Sequence, residues 1–125
     1  MIASRAQLTK EIINPLLDRG SHVIADRYTD STLAYQGSGR ELSINDLKVI
    51  NKFATDDLSP DITFFIDIKP EDAFKRSHIK YPDRIEGAGL ELQSRVRESY
   101  IKLLDEYPKR IFLIDGYDTI DAIHS

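Results

Sequence analysis

Three short apolar runs, separated by stretches of helical periodicity, limit what this chain can fold into. Residues 22–26 (HVIAD), 62–68 (ITFFIDI) and 110–114 (RIFLI) have the length and composition of strands. The run at 62–68 is nearly continuous in apolar residues, which predicts a strand covered by helices on both faces. Strands that alternate with helices imply parallel crossovers and a layered α/β sheet.

The segments between the runs supply the helices. Ile2, Leu8, Ile12, Ile13, Leu16 and Leu17 fall mostly on one helical face, and Gly20 is a suitable stop. Pro15 predicts a kink or a missing hydrogen bond in that helix. A polar helix is expected over 29–36, closed by a Gly-Ser-Gly break. Ser43 and Asp46 resemble a capping box that opens a helix to about Thr55. Pro70, with Glu71 and Asp72 in the first turn, starts another helix. A charged, irregular stretch is expected over 78–89. A long amphipathic helix over 90–106 then uses Leu92, Val96, Tyr100, Leu103 and Leu104, and Pro108 closes it. Residues 118–125 read as the first turns of a last helix. The chain opens inside a helix with no lead-in, which suggests that a further segment precedes it.

With 125 residues the chain can build one small domain and not two. A net charge of −4 argues against a general nucleic-acid or anionic-membrane binder, because those need a basic surface. It leaves room for a local anion pocket made by a few arginines. Without cysteine there is neither a disulfide framework nor a thiolate metal site. The apolar runs are too short to span a bilayer, and no basic segment leads into an apolar one at the start. These features make the cytoplasm the expected compartment.

The chemistry-bearing residues gather behind the first apolar run. In an open parallel sheet, ligands bind outside the carboxyl ends of the strands. Asp26, Asp67 and Asp115 fall at or near such ends. For Asp67 and Asp115 a turn- or helix-capping role accounts for the residue type. Asp26 differs, because Arg27 is adjacent and a helix rich in hydroxyls follows. A carboxylate there suits a Mg²⁺–water shell and an arginine suits a phosphate fork, while a local ion pair beside a packed aromatic fits the same residues.

The pattern Asp26-Arg27-Tyr28, then Ser31, Ala34-Tyr35-Gln36-Gly37 and Arg40, closely resembles the bacterial thymidylate kinase family. The resemblance continues in order through Ala3-Ser4-Arg5-Ala6-Gln7, Pro60-Asp61-Ile62-Thr63, Asp83-Arg84-Ile85-Glu86 and Ile114-Asp115. It implies an α/β fold of the P-loop NTPase-like, nucleoside-monophosphate kinase type: a three-layer parallel sheet with helices on both faces. Residues 1–125 would be a single partial domain whose lid segment covers about 76–89. The activity implied is transfer of a phosphoryl group from ATP, with Mg²⁺, to dTMP.

By the same resemblance Arg5 matches the arginine that hydrogen-bonds the thymine ring. Ser31, Thr32 and Gln36 match the helix lining the base and sugar, and Tyr35 the aromatic packed on the deoxyribose. Arg27 matches the arginine on the acceptor phosphate, and Asp26 the carboxylate near magnesium. In the lid, Arg76, Lys80 and Arg84 are candidates for charge stabilisation, with Arg76 and Arg84 also on the ATP side. His78 and Lys80 stand where further arginines are expected, and a lysine carries charge without the bidentate fork. Met1 falls where the family stacks an aromatic on the base. Arg40 reads as a loop-fixing residue, and the resemblance also implies a homodimer.

No Gly-x-x-x-x-Gly-Lys-Ser/Thr loop occurs in these residues. In the family the strand carrying that loop lies between the strands resembling 22–26 and 62–68, so a gap in the sheet is expected here. The 125 residues alone are accordingly expected to be poorly stable and inactive as a kinase. Two other functions fit the same residues: a non-catalytic nucleotide- or partner-binding remnant, and a related deoxynucleoside-monophosphate kinase with another base preference.

Overall fold

The computed structural model describes residues 2–37, 43–77 and 83–125, with the backbone course alone for 83–88. They form two compact units, Met1–Pro60 and Asp61–Ser125.

The first unit is helical. α1 spans Ile2–Leu8 and passes through a π-helical turn, Thr9–Ile13, into α2, Asn14–Asp18. The wide turn is closed by the Asn14 amide donating to the Thr9 carbonyl. Pro15 follows directly after this turn, so the helix changes register where the proline nitrogen has no N–H to donate to a preceding carbonyl. The expected disturbance at this proline therefore takes the form of a changed helical register. The helix ends at Gly20, whose φ of 80° is open to glycine; Gly20 N donates to Leu17 O and Ser21 N to Leu16 O.

α3, Thr29–Gly37, and α4, Ile44–Ala54, complete this unit. Ser43 caps α4 as the sequence implies: its Oγ accepts from the Asp46 amide at 3.2 Å and donates to the Asp46 carboxylate at 2.7 Å. Leu33, Ala34 and Leu47 are buried, and α4 also holds the start of α3 through Asn51, which donates to the Thr29 carbonyl at 3.2 Å.

Residues 22–26 do not form the expected strand. They connect α2 to α3 without regular structure and without joining a ladder, and Ile24 is 99% exposed. The physical reason is that strand-type residues become a strand only through a hydrogen-bonded neighbour. Among the described residues the only ladder is the one in the second unit.

That ladder pairs β1, Thr63–Asp67, with β2, Ile111–Asp115, in parallel and in register from Thr63↔Ile111 to Asp67↔Asp115. The crossover runs through α5, Pro70–Ser77, and α6, Asp83–Glu106. α6 buries Val96 and Leu103 and stacks Tyr100 on Phe65 with centroids 4.9 Å apart. The opposite face of β1 carries Phe64 and Ile66, which stay exposed, with Phe64 6.4 Å from Phe112. Cover on both faces was expected; among the described residues it is found on the Phe65 face.

α6 also begins earlier than its apolar periodicity indicates, taking in residues expected to be irregular. Gly87 and Gly89 cost a helix about 1 kcal/mol each relative to alanine, but a long helix packed on a sheet absorbs that. At Gly89 there is a further reason for glycine, since a Cβ there would stand 3.3 Å from the Phe74 ring of α5. After β2, Thr119 caps α7, Ile120–His124, by accepting from the Ala122 amide.

The tightest backbone approach lies just past the ladder, where Gly116 N donates to the Asp67 carbonyl at 2.8 Å. A Cβ on Gly116 would sit 2.6 Å from that oxygen. Gly116→Ala must therefore push the strand ends apart, at a cost of about 1–3 kcal/mol. Hydrogen exchange of the β1–β2 ladder amides is expected to accelerate about tenfold or more in this variant. The chain itself, with Ile24, Phe53 at 88% and Phe64 at 67% exposure, is expected to bind a hydrophobic dye and unfold at low urea. A sharp, monomeric transition without dye binding would contradict that.

Candidate functional site

Asp26 and Arg27 sit in a bend between the irregular segment after α2 and the start of α3. Both are exposed. Arg27 has φ 68°, in the left-handed region that side chains with a Cβ avoid. Its guanidinium lies 5.2 Å from the centroid of the Tyr35 ring, within range of a cation–π contact.

α3 is unusual in being polar and buried. Thr29, Asp30, Ser31 and Thr32 are all less than one-tenth exposed, and Thr32 is fully buried. Groups of this kind need partners, because an unsatisfied buried hydroxyl costs on the order of 1–3 kcal/mol. Thr32 Oγ1 accepts a hydrogen bond from Arg5 Nη1 on α1. Thr32, Tyr35 and Gln36 share one face of α3 by their spacing, and Tyr35 and Gln36 are half-buried. The structure thus brings Arg5 of α1 to Thr32 and Arg27 of the bend to Tyr35, two residues one turn apart on α3.

Two residues to which the sequence assigned no role in the site, one of them the tyrosine of the Asp26-Arg27-Tyr28 pattern, belong to the same cluster. The Tyr28 ring lies 5.7 Å from the Arg5 guanidinium, and its hydroxyl is 2.5 Å from Thr9 Oγ1. Thr9 is buried and stands one helical repeat after Arg5. That spacing is visible in the sequence, whereas the approach of Tyr28 is a tertiary contact and is not.

In the second unit the polar groups collect at the carboxyl edge of the ladder. Asp67 accepts both arms of the Arg97 fork, Nε at 2.7 Å and Nη2 at 2.8 Å. This carboxylate therefore holds β1 to α6, where a turn-capping role was expected. The Arg97 guanidinium is raised above its ordinary pKa, chiefly by the hydrogen bond to Asp67. Asp115 does cap its turn, accepting from the Tyr117 amide at 2.9 Å.

Arg76, on α5, donates to the Gly116 carbonyl at 2.8 Å and lies 5.5 Å from the Tyr117 ring centroid. The Tyr117 hydroxyl donates to Asp72 at 2.5 Å and accepts from the Lys69 amide at 3.2 Å. The bond to Tyr117 draws the Asp72 carboxyl below its usual range, and the same bond lifts the phenol. Met1, Arg40, His78 and Lys80 lie outside the described residues, as does the side chain of Arg84.

Comparison with known proteins points in one direction. A family model described as thymidylate kinase matches residues 1–125. The chain is similar to a thymidylate kinase of Caldanaerobacter subterraneus subsp. tengcongensis, 47% identical over 122 residues, covering 98% of this chain and 59% of that protein. It is 45% identical over 123 residues to the thymidylate kinase of Fervidobacterium nodosum, covering 98% of this chain and 62% of that one. The crystal structure of thymidylate kinase from Ehrlichia chaffeensis superposes with a TM-score of 0.69 at 32% identity, over 90% of this chain and 53% of that chain. The chain thus spans about 60% of the length of the curated relatives it matches. Its parallel ladder with helical crossover agrees with the P-loop NTPase-like fold of that neighbour. The chain belongs to the thymidylate kinase family.

Proposed function

We propose that this chain supplies the phosphate-acceptor site and the lid of an ATP:dTMP phosphotransferase that makes dTDP. The observation that carries the proposal is the order of contacts across α3. Arg27 meets Tyr35, Tyr35 is one turn from Thr32, and Thr32 meets Arg5. A deoxynucleoside monophosphate presents phosphate, sugar and base in that same order. The family membership and the names of the relatives support the choice of dTMP.

In this reading Arg27 grips the 5′-phosphate with its planar fork, and Tyr35 packs on the deoxyribose, leaving little space for a 2′-hydroxyl. Arg5, with Thr32 and Gln36, selects the base, and Ser31 supports that lining. Phosphoryl transfer gains mainly from positioning and from cations that meet charge on the moving group. Arg76 and Arg84, with Lys80, would supply that charge from the lid. Mg²⁺ is compatible with Asp26, because this metal is usually held by one or two carboxylates together with phosphates and water; when bound it would neutralise charge on the phosphates. The intact enzyme would act as a cytoplasmic homodimer.

Isothermal titration of the 125-residue chain tests the acceptor site. It is expected to bind dTMP in preference to dUMP, dCMP and the ribose analogue of TMP, and a preference for any of these would overturn the base assignment. ATP-dependent phosphorylation of dTMP is expected to be undetectable with this chain, which has no phosphate loop of the Walker type in its sequence. Measurable turnover would refute that. Arg27→Gly should separate binding from stability. Loss of the charged hydrogen bonds, ~1.5–3 kcal/mol, is expected to weaken dTMP about ten- to hundredfold. Relief of the left-handed backbone should leave the fold as stable as before, or up to about 1 kcal/mol more so.

A further inference from the structure

We propose that Tyr28 is a positioning residue that holds the Arg5 guanidinium in the orientation in which it reads the nucleotide base. The inference rests on the acceptor-site reading above and extends it to a residue with no assigned role.

Arg5 needs an external hold. Arg5 is half-buried on α1, and its long side chain carries large rotamer freedom that its partners must restrain. The bond to Thr32 fixes one arm of the guanidinium. Tyr28 provides a second constraint, because its ring lies 5.7 Å from the guanidinium and favours a cation set against its face. A ring can orient its neighbour only if it is held itself. The hydroxyl of Tyr28 meets Thr9 Oγ1 at 2.5 Å, and Thr9 is 1% exposed.

The local geometry makes this possible. Arg5 and Thr9 are one helical repeat apart and share a face. Tyr28 lies across that face, with its hydroxyl end at Thr9 and its ring at Arg5. Thr9 is also the first residue of the π-helical turn, a feature that changes the register of the side chains following it and is found frequently at functional sites. One tyrosine therefore ties α1 and its π-helical turn to the bend that carries Arg27.

Two measurements on the 125-residue chain test the proposal. The first needs no ligand: the Nε–H resonance of Arg5 is expected to carry a ring-current shift that Tyr28→Phe, which keeps the ring and loses its bond to Thr9, reduces and Tyr28→Leu removes. An Arg5 signal that coincides with those of exposed arginines, or that does not respond to Tyr28→Leu, overturns the proposal. The second is the ratio of dTMP to dCMP affinity. Tyr28→Leu is expected to reduce it about two- to fivefold, the worth of one exposed cation–π contact, with Tyr28→Phe falling between Tyr28→Leu and the parent because its ring stays but loses the bond to Thr9. The same Tyr28→Leu change in an Arg5→Ala background should leave the ratio unmoved. Equal loss for both nucleotides, or an undiminished effect without Arg5, assigns Tyr28 a packing role and overturns the proposal. A parent chain that binds no dTMP, or prefers another nucleotide, would instead defeat the acceptor-site reading, and the Arg5 resonance would still decide the contact with Tyr28.

Discussion

Burying a polar helix is the constraint on which the first unit depends. α3 places Thr29, Asp30, Ser31 and Thr32 out of water, each with donors or acceptors that must be met. An apolar helix could pack against any greasy surface, but this one accepts only neighbours that bring the right polar atoms. Asn51 does so from α4, through the Thr29 carbonyl, and Arg5 does so from α1, through the Thr32 hydroxyl. The same bonds that make α3 tolerable to bury thus decide which residues surround it. In the proposed acceptor-site reading, fold and recognition would be served by one set of hydrogen bonds, so substitutions at Thr32 or Arg5 would register in both.

The second unit meets a different requirement with a comparable economy of parts. Parallel pairing in register ends both strands on one edge, which sets Asp67 beside Asp115. Two carboxylates there would repel if both faced the same space. Asp67 is instead held by the Arg97 fork, while Asp115 bonds to the Tyr117 amide. The Gly116 backbone can then cross against Asp67 without a Cβ in the way, and its carbonyl remains for Arg76. Arg76 is thereby oriented by backbone geometry at the strand ends, through a residue whose lack of a side chain permits the close approach.

Much of this was legible in the sequence where the interaction is local. The Ser43–Asp46 cap, the Pro70 start and the Gly20 stop follow from hydrogen bonds that close within one turn, and the structure has them where the residues imply. The β1 and β2 runs were equally plain, because β-branched and aromatic residues between turn formers leave few alternatives. Residues 22–26 carry the same signal but no strand forms, since pairing depends on a neighbour and not on composition. The fork from Arg97 to Asp67 spans 30 residues and the Tyr28–Arg5 contact crosses between a helix and a loop. Neither leaves a periodic trace. The family pattern located Arg5, Arg27, Thr32 and Tyr35, yet it could not say that they meet in pairs along α3.

The backbone at Arg27 bears on why those pairs exist. Three non-glycine residues adopt positive φ among the described ones: Arg27, Asp56 and Asp57. The two aspartates follow α4 in a turn that Thr55 supports by donating to the Asn51 and Leu58 carbonyls, and aspartate tolerates this region comparatively well. An arginine does not, and it costs the fold on the order of 1–3 kcal/mol. Glycine would satisfy the bend better, so conformation alone does not account for the residue at 27. What arginine adds is a planar cation, set 5.2 Å from the Tyr35 ring and exposed beside a carboxylate. In the proposed acceptor-site reading, this bend would present the guanidinium to the phosphate and leave the aromatic for the sugar. The strain therefore supports the acceptor-site reading independently of the family resemblance.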